Sequence, residues 1–220
     1  MITTQAVLPG STATVIGLAA FGVVVFDVSW LVVRHVAVLA HEGAHALTGL
    51  LLFRPVRGIE LRPDGTGGTG VSAGVEAAGG LRSVPIALSG YLGPSGFGLG
   101  AAKLIELRDT PVVLYLVLVL LAVLLVGLRR SFGLIIVLAA GGIVFGIARY
   151  APVHVQLVSA YSVTWLLLLS GVRRVVEAGL GSDDGIRLQG VTRLPRALWF
   201  VFWLAAALAA AAEGARLLIG

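Results

Sequence analysis

Seven apolar runs, each near the length that crosses a bilayer, restrict how this sequence can fold more than any other feature. A hydrocarbon core about 30 Å thick needs about 20 mostly apolar residues when a helix rises 1.5 Å per residue. No water reaches that depth, so the expected elements are helices that satisfy their own backbone groups. The 220 residues are 58% hydrophobic and only 12% charged, and their mean hydropathy is +1.00. That lies well outside the composition of soluble domains. The sequence predicts an all-α polytopic membrane protein with about six to seven transmembrane helices, forming a single membrane-embedded domain over 1–220.

Residues 13–53 are almost continuously apolar. As one helix they would run about 60 Å, twice the core thickness, so two spans are expected. The break is predicted near Asp27 to Trp30, giving helices over about 10–27 and 29–53. The remaining spans are predicted at about 83–102, 111–128, 132–149, 152–172 and 197–217, with boundaries good to about two to four residues. Between the second and third, residues 54–80 shift to Gly, Thr, Asp and Arg, with VRGIEL before the turn-like PDGTGG. A short β-hairpin or irregular segment is expected there, at the interface or buried against helices. In the third span, SGYLGPSGFGLG carries glycines that allow close helix approach, and Pro94 is expected to kink it.

A net charge of +5 with a pI near 10.4 could suggest nucleic acid. The basic residues, however, sit in ones and twos at the ends of apolar runs, which is the signature of membrane topology. With seven spans, Arg54, Arg57, Arg62, Arg82, Arg129, Arg130, Arg173, Arg174, Arg187, Arg193 and Arg196 fall on the side of the N-terminus. Lys103, Arg108, Arg149 and Arg216 fall on the other, with Arg34 inside the second span. That asymmetry predicts a multi-pass protein of the cell membrane with its N-terminus and larger loops in the cytoplasm. The first 30 residues contain no Lys or Arg, so the first run is expected to stay in the mature protein.

Cysteine is absent, which removes disulfides, thiolate metal sites and Cys nucleophiles together. Any metal site must use His and carboxylate. Inside the second span stands His41-Glu42-Gly43-Ala44-His45, an HExxH pattern. A spacing of four puts both imidazoles on one helical face, about one turn apart, where they can share an ion. Zinc suits nitrogen and oxygen ligands in a tetrahedral site. Glu42, about 100° around the helix, is placed to act as general base toward a metal-bound water. Ionisable residues at that depth are costly unless paired, liganded or hydrated, so a bland hydrogen-bonding role is the weaker reading.

A catalytic zinc typically keeps three protein ligands, so one more must come from elsewhere. His35, His154, Asp27, Glu60, Asp64, Asp183 and Asp184 are the candidates. Asp27 would sit some 20 Å along the axis from His41 in a continuous helix, and His35 points away from the pair. His154 begins the sixth span on the opposite side. Asp183 and Asp184, in GSDDG between the last two spans, fall on the same predicted side as the C-terminal end of the HEGAH helix, although alone they would read as a solvated turn. Arg34 shares the His41 face and is expected to snorkel or to pair with another helix.

The HEGAHALTG helix, the RGIELRPDGTGG segment, the SGYLGPSGFG helix and DDGIRLQGVTRLP before a last Trp-containing span resemble the M50, or site-2-protease-like, intramembrane metallopeptidases, in particular the small M50B-like members. The resemblance covers most of the chain. It implies His41 and His45 as zinc ligands, Glu42 as base, and Asp184, followed by Gly185, as third ligand with Asp183 in reserve. It also implies a membrane-anchored protein substrate. The sequence departs from the larger members in lacking Asn-Pro before the Asp-Gly pair and in having no room for a PDZ domain. Two other function classes were weighed: a membrane protein that binds metal without proteolysis, and a small transporter. The transporter fits less well, because the titratable set clusters in one half of the membrane.

Overall fold

The computed structural model describes residues 7–53, 59–61, 67–69, 80–128 and 131–220. The helices are α1 (Gly10–Val25), α2 (Asp27–Leu51), α3 (Val84–Glu106), α4 (Thr110–Gly127), α5 (Ser131–Tyr150), α6 (Val153–Ala178), α7 (Asp183–Thr192) and α8 (Arg196–Ile219). A 3-10 turn, Gly80–Ser83, leads into α3, and Gly179–Gly181 links α6 to α7. In the segment expected to hold a hairpin, strands β1 (Ile59–Leu61) and β2 (Gly67–Thr69) pair antiparallel, with Ile59 opposite Thr69 and Leu61 opposite Gly67. The turn between them lies outside the described residues. Ile59 is fully buried and bridges to Leu128 at the end of α4.

The predicted break in the first apolar stretch falls at Phe26, whose extended backbone (φ −76°, ψ 127°) ends α1. There the chain turns by 103°, so that α2 lies across α1 rather than running back beside it. The two ends of α1 fix what this does to topology. A Cβ on Gly10 would strike the carbonyl of Ile219, so α1 begins beside the end of α8. It ends beside the last turns of α6, where Arg173 donates to the carbonyls of Val24 and Val25.

The start of α1 therefore lies at the opposite end of the bundle from Arg173, Arg174 and α7. This corrects the expectation that the N-terminus shares a side with those arginines and with the HEGAH helix. The expectation assumed two full crossings before residue 54, and the 103° turn removes one of them.

The span count also comes out lower than six to seven. Among the described residues, four helices are long and apolar enough to cross a membrane: Thr110–Gly127, Phe132–Tyr150, Val153–Gly181 and Arg196–Ile219. The bent pair α1 and α2, taken as one span, makes five. Helix α3 fails on composition, because glycines and two prolines dilute its apolar character. Its surroundings explain why that composition is tolerated. It is packed by α2, α6 and α8 and touches α4 and α7, so its faces meet protein rather than lipid. Within a membrane, small residues let helix backbones approach and gain dispersion contacts where no hydrophobic drive exists. Leu168 of α6 is wedged this way between Gly98 of α3 and Gly214 of α8.

Candidate metal centre

Ten consecutive residues of α2, Ala37 to Ala46, are buried, so the HEGAH run is enclosed on every side. A helix apolar or buried all round belongs to the interior, and its polar groups then need defined partners. His41 and His45 supply them to each other: their Nε2 atoms lie 3.1 Å apart. Asp184 Oδ2 completes a triangle, 3.3 Å from His41 Nε2 and 3.3 Å from His45 Nε2. All three side chains are buried.

These edges carry chemical information. In a tetrahedral site with bonds of about 2.0–2.1 Å, ligand atoms stand about 3.3 Å apart, since the edge is about 1.6 times the bond. The triangle has that size. Three buried lone-pair donors converging on one point are mutually repulsive without a proton or a cation among them, so the donor set fits a divalent ion. His41, His45 and Asp184 are the group among the described residues that could hold a metal.

Second-sphere contacts fix the orientation of each member. His45 Nδ1 lies 2.7 Å from the carbonyl of Ile86, which can only accept, so Nδ1 carries the proton and Nε2 presents its lone pair. Ser89 Oγ donates to the same carbonyl at 2.7 Å. The His41 ring meets Tyr91 edge-on at 4.7 Å, and Tyr91 packs on Trp203 at 4.7 Å. Trp203 Nε1 in turn donates to the carbonyl of Leu88 at 3.2 Å.

Asp184 owes its position to the start of α7. Ser182 is the N-cap, its Oγ accepting from Gly185 N at 3.2 Å, and a Cβ on Gly185 would come within 2.6 Å of that oxygen. The Asp-Gly pair is thus a capping requirement as well as a ligand. Burial alone would raise the Asp184 carboxyl, but the His45 and His41 imidazoles outweigh it and hold the group below the usual carboxylate range.

Of the other candidates, Asp183 is exposed and turned from the triangle, although it neighbours Asp184. Asp27 pairs with Arg173 at 2.6 Å, at the far end of α2 from the HEGAH run. His35 binds the Val32 carbonyl and faces Phe132, and His154 is exposed at the start of α6. Asp64 and the side chain of Glu60 lie outside the described residues. Glu42 is 3% exposed, one residue on from His41. Arg34 makes no ion pair with Asp27, and its Nε is buried without a hydrogen-bond partner.

Gly90, one of the glycines expected to allow close helix approach, meets the metal centre itself. A Cβ there would lie 2.5 Å from His45 Nε2 and 2.6 Å from His41 Cε1, so only glycine leaves room for both rings. Gly93, one turn on, does the same for Ala44 Cβ at 2.5 Å and the Ala40 carbonyl at 2.9 Å. The glycine density of SGYLGPSGFGLG was the available signal, but it did not name the partner. Beside His45, a cleft of about 400 Å³ opens between α2 and α3, lined by Ala44, Thr48, Ser89 and Leu92 among others.

Comparison with known proteins gives a family match. The model of the Peptidase M50B-like family aligns with residues 14–214. No curated protein and no solved structure matches the chain.

Proposed function

Because the chain belongs to the Peptidase M50B-like family, we propose that it is a zinc-dependent endopeptidase, hydrolysing peptide bonds of membrane-anchored proteins within or at the edge of the bilayer. The observation that carries this reading is the triangle of His41 Nε2, His45 Nε2 and Asp184 Oδ2, with edges of 3.1–3.3 Å. Its donors are nitrogen and oxygen and its size is tetrahedral. Three protein ligands leave a fourth position for water or substrate, the arrangement of catalytic rather than structural zinc.

Zinc bound there would lower the pKa of a water and polarise the scissile carbonyl. The chain supplies the rest. His45, locked through Nδ1 to the Ile86 carbonyl, and His41, held against Tyr91, keep the ligand face rigid. Asp184 contributes a carboxylate oxygen, positioned by the Ser182 cap at the start of α7. Glu42, buried on the adjacent face of α2, takes the proton from the attacking water and passes it to the leaving amine. The paired strands β1 and β2 offer main-chain groups to which an unfolded substrate segment could add as a further strand. The family relationship and the membrane-spanning helices support a membrane-anchored substrate, and the arginines at the α7 end of the bundle favour a cytoplasmic position for that end.

Glu42→Gln separates the two halves of the proposal. The variant is expected to bind zinc stoichiometrically and to lose cleavage of a membrane-anchored test substrate by about 10²–10⁴-fold, the usual worth of a general base. Cleavage at the wild-type rate in that variant would falsify the assignment of the base. Stoichiometric zinc in the wild-type protein, with no cleavage across a panel of membrane proteins, would favour a metal-binding role without proteolysis.

A further inference from the structure

The break between α1 and α2 exposes backbone that a continuous helix would have covered. In an unbroken helix the carbonyls of Val24 and Val25 would accept from residues 28 and 29. At a 103° turn they cannot, and each needs a donor from elsewhere. One side chain from α6 supplies the donors. Arg173 Nη1 donates to Val24 O and, at 2.8 Å, to Val25 O. Its Nη2 donates to Asp27 Oδ1 at 2.6 Å, and its Nε donates to Glu177 Oε1 at 3.3 Å. The guanidinium lies over the ring of Trp30, 4.6 Å from its centroid, and Trp30 is itself 2% exposed. Ser29 Oγ completes the joint by donating to Val23 O at 2.8 Å.

We propose that Arg173 is a positioning residue for the metal centre: by pinning the α1–α2 joint to α6, it sets the direction in which α2 delivers His41 and His45 to Asp184. This inference rests on reading those three residues as a metal centre. The leverage is large. From Asp27 to His41 the helix runs fourteen residues, about 21 Å, so a swing of about 10° at the joint carries His41 by about 4 Å unless packing resists it. The ligand edges are 3.1–3.3 Å, so a fraction of that swing opens the triangle. Arg173 also stands eleven residues before Asp184 along α6 and its link to α7. The same anchor therefore references both contributors to the site. Lysine is no substitute: a single ammonium cannot reach two carbonyls and a carboxylate in fixed directions as a planar guanidinium does.

The test uses full-length protein in detergent, with zinc affinity measured by chelator competition and folding followed by circular dichroism and gel filtration. Arg173→Ala and Arg173→Lys are each expected to weaken zinc binding at least tenfold with helical content retained. Asp27→Asn, which removes one arm of the joint, is expected to weaken it about two- to fivefold. If Arg173→Ala does not fold, Asp27→Asn decides, and wild-type affinity in that variant overturns the proposal.

A second readout does not depend on metal. The chain has no cysteine, so spin labels at Phe21→Cys and Leu50→Cys, both exposed in the wild type, report the α1–α2 distance directly. A distribution that broadens or shifts when Arg173 is replaced supports the joint, and an unchanged narrow one overturns it. A wild-type protein that binds no zinc but shows the spin-label change refutes the metal reading while leaving the joint intact.

Discussion

Gly90 is as demanding a position as the ligands themselves. Its missing side chain is the space in which two imidazoles meet, with no flexible neighbour able to yield, since the atoms 2.5–2.6 Å away are ring atoms of His41 and His45. Gly90→Ala should therefore rotate one or both rings off the triangle and weaken zinc binding by at least tenfold, within the 10–100-fold range typical of second-sphere changes. Metal titration alongside a thermal melt distinguishes this from general loss of fold.

The adjacent carboxylates make a second comparison at this scale. Asp184→Asn removes a ligand and should cost most of the zinc affinity, whereas exposed Asp183→Asn should stay close to wild type in the same titration. The His41 and His45 pairing was legible from a spacing of four on a helix. Asp184 was legible as one of the two carboxylates of GSDDG, and the family resemblance chose it over Asp183. That Gly90, Tyr91 and the Ile86 carbonyl meet the site was not legible, because each acts through a contact between segments some 40 or more residues apart, and a single sequence does not encode distance.

Among the elements, α3 departs furthest from what hydropathy alone suggests. It reads as an imperfect membrane span, yet it is the helix around which α2, α6 and α8 assemble. Its glycines mark where neighbours press in, which is why the helix can be less apolar than those facing lipid. Gly98→Val places a branched side chain where a bare Cβ already meets Leu168 at 2.9 Å, and overpacking of this kind typically costs about 1–3 kcal/mol. Thermal or denaturant melting in detergent should show the loss. Gly96→Val, where nothing lies within 4 Å of the added Cβ, is the control and should melt near wild type. A helix break was legible from length, because no single helix of that extent fits a bilayer; it was expected near Asp27 to Trp30 and falls at Phe26. Its angle was not legible, since it depends on Arg173, which lies almost 150 residues away in sequence.

For the whole molecule, the turn at Phe26 changes which ends lie together. The start of α1 sits with the end of α8, on the side of Lys103, Arg108, Arg149 and Arg216, while Arg173, Arg174, Arg187, Arg193 and Arg196 lie toward the other end. Charge sorting along the sequence separates these described residues in the same way but attaches the N-terminus to the arginine-rich set, because it counts α2 as a full crossing. Single cysteines in this cysteine-free chain can check the arrangement with a membrane-impermeant thiol reagent on intact cells. Cysteines at Val7 and Val153 should label from the same side, and one at Arg193 only after the opposite face is opened. If the arginine-rich end is cytoplasmic, the first two are the ones that label in intact cells.

The contributors to the metal triangle are also separated in time. The ribosome makes His41 and His45 first, the Ile86 carbonyl that orients one of them some 40 residues later, and Asp184 about 140 residues after His45. Until then the two imidazoles lack the third member of the triangle, and two ligands retain a metal less well than three. On the proposed function, a peptidase made in the bilayer that also holds its substrates would stay unarmed until α7 has been laid in place.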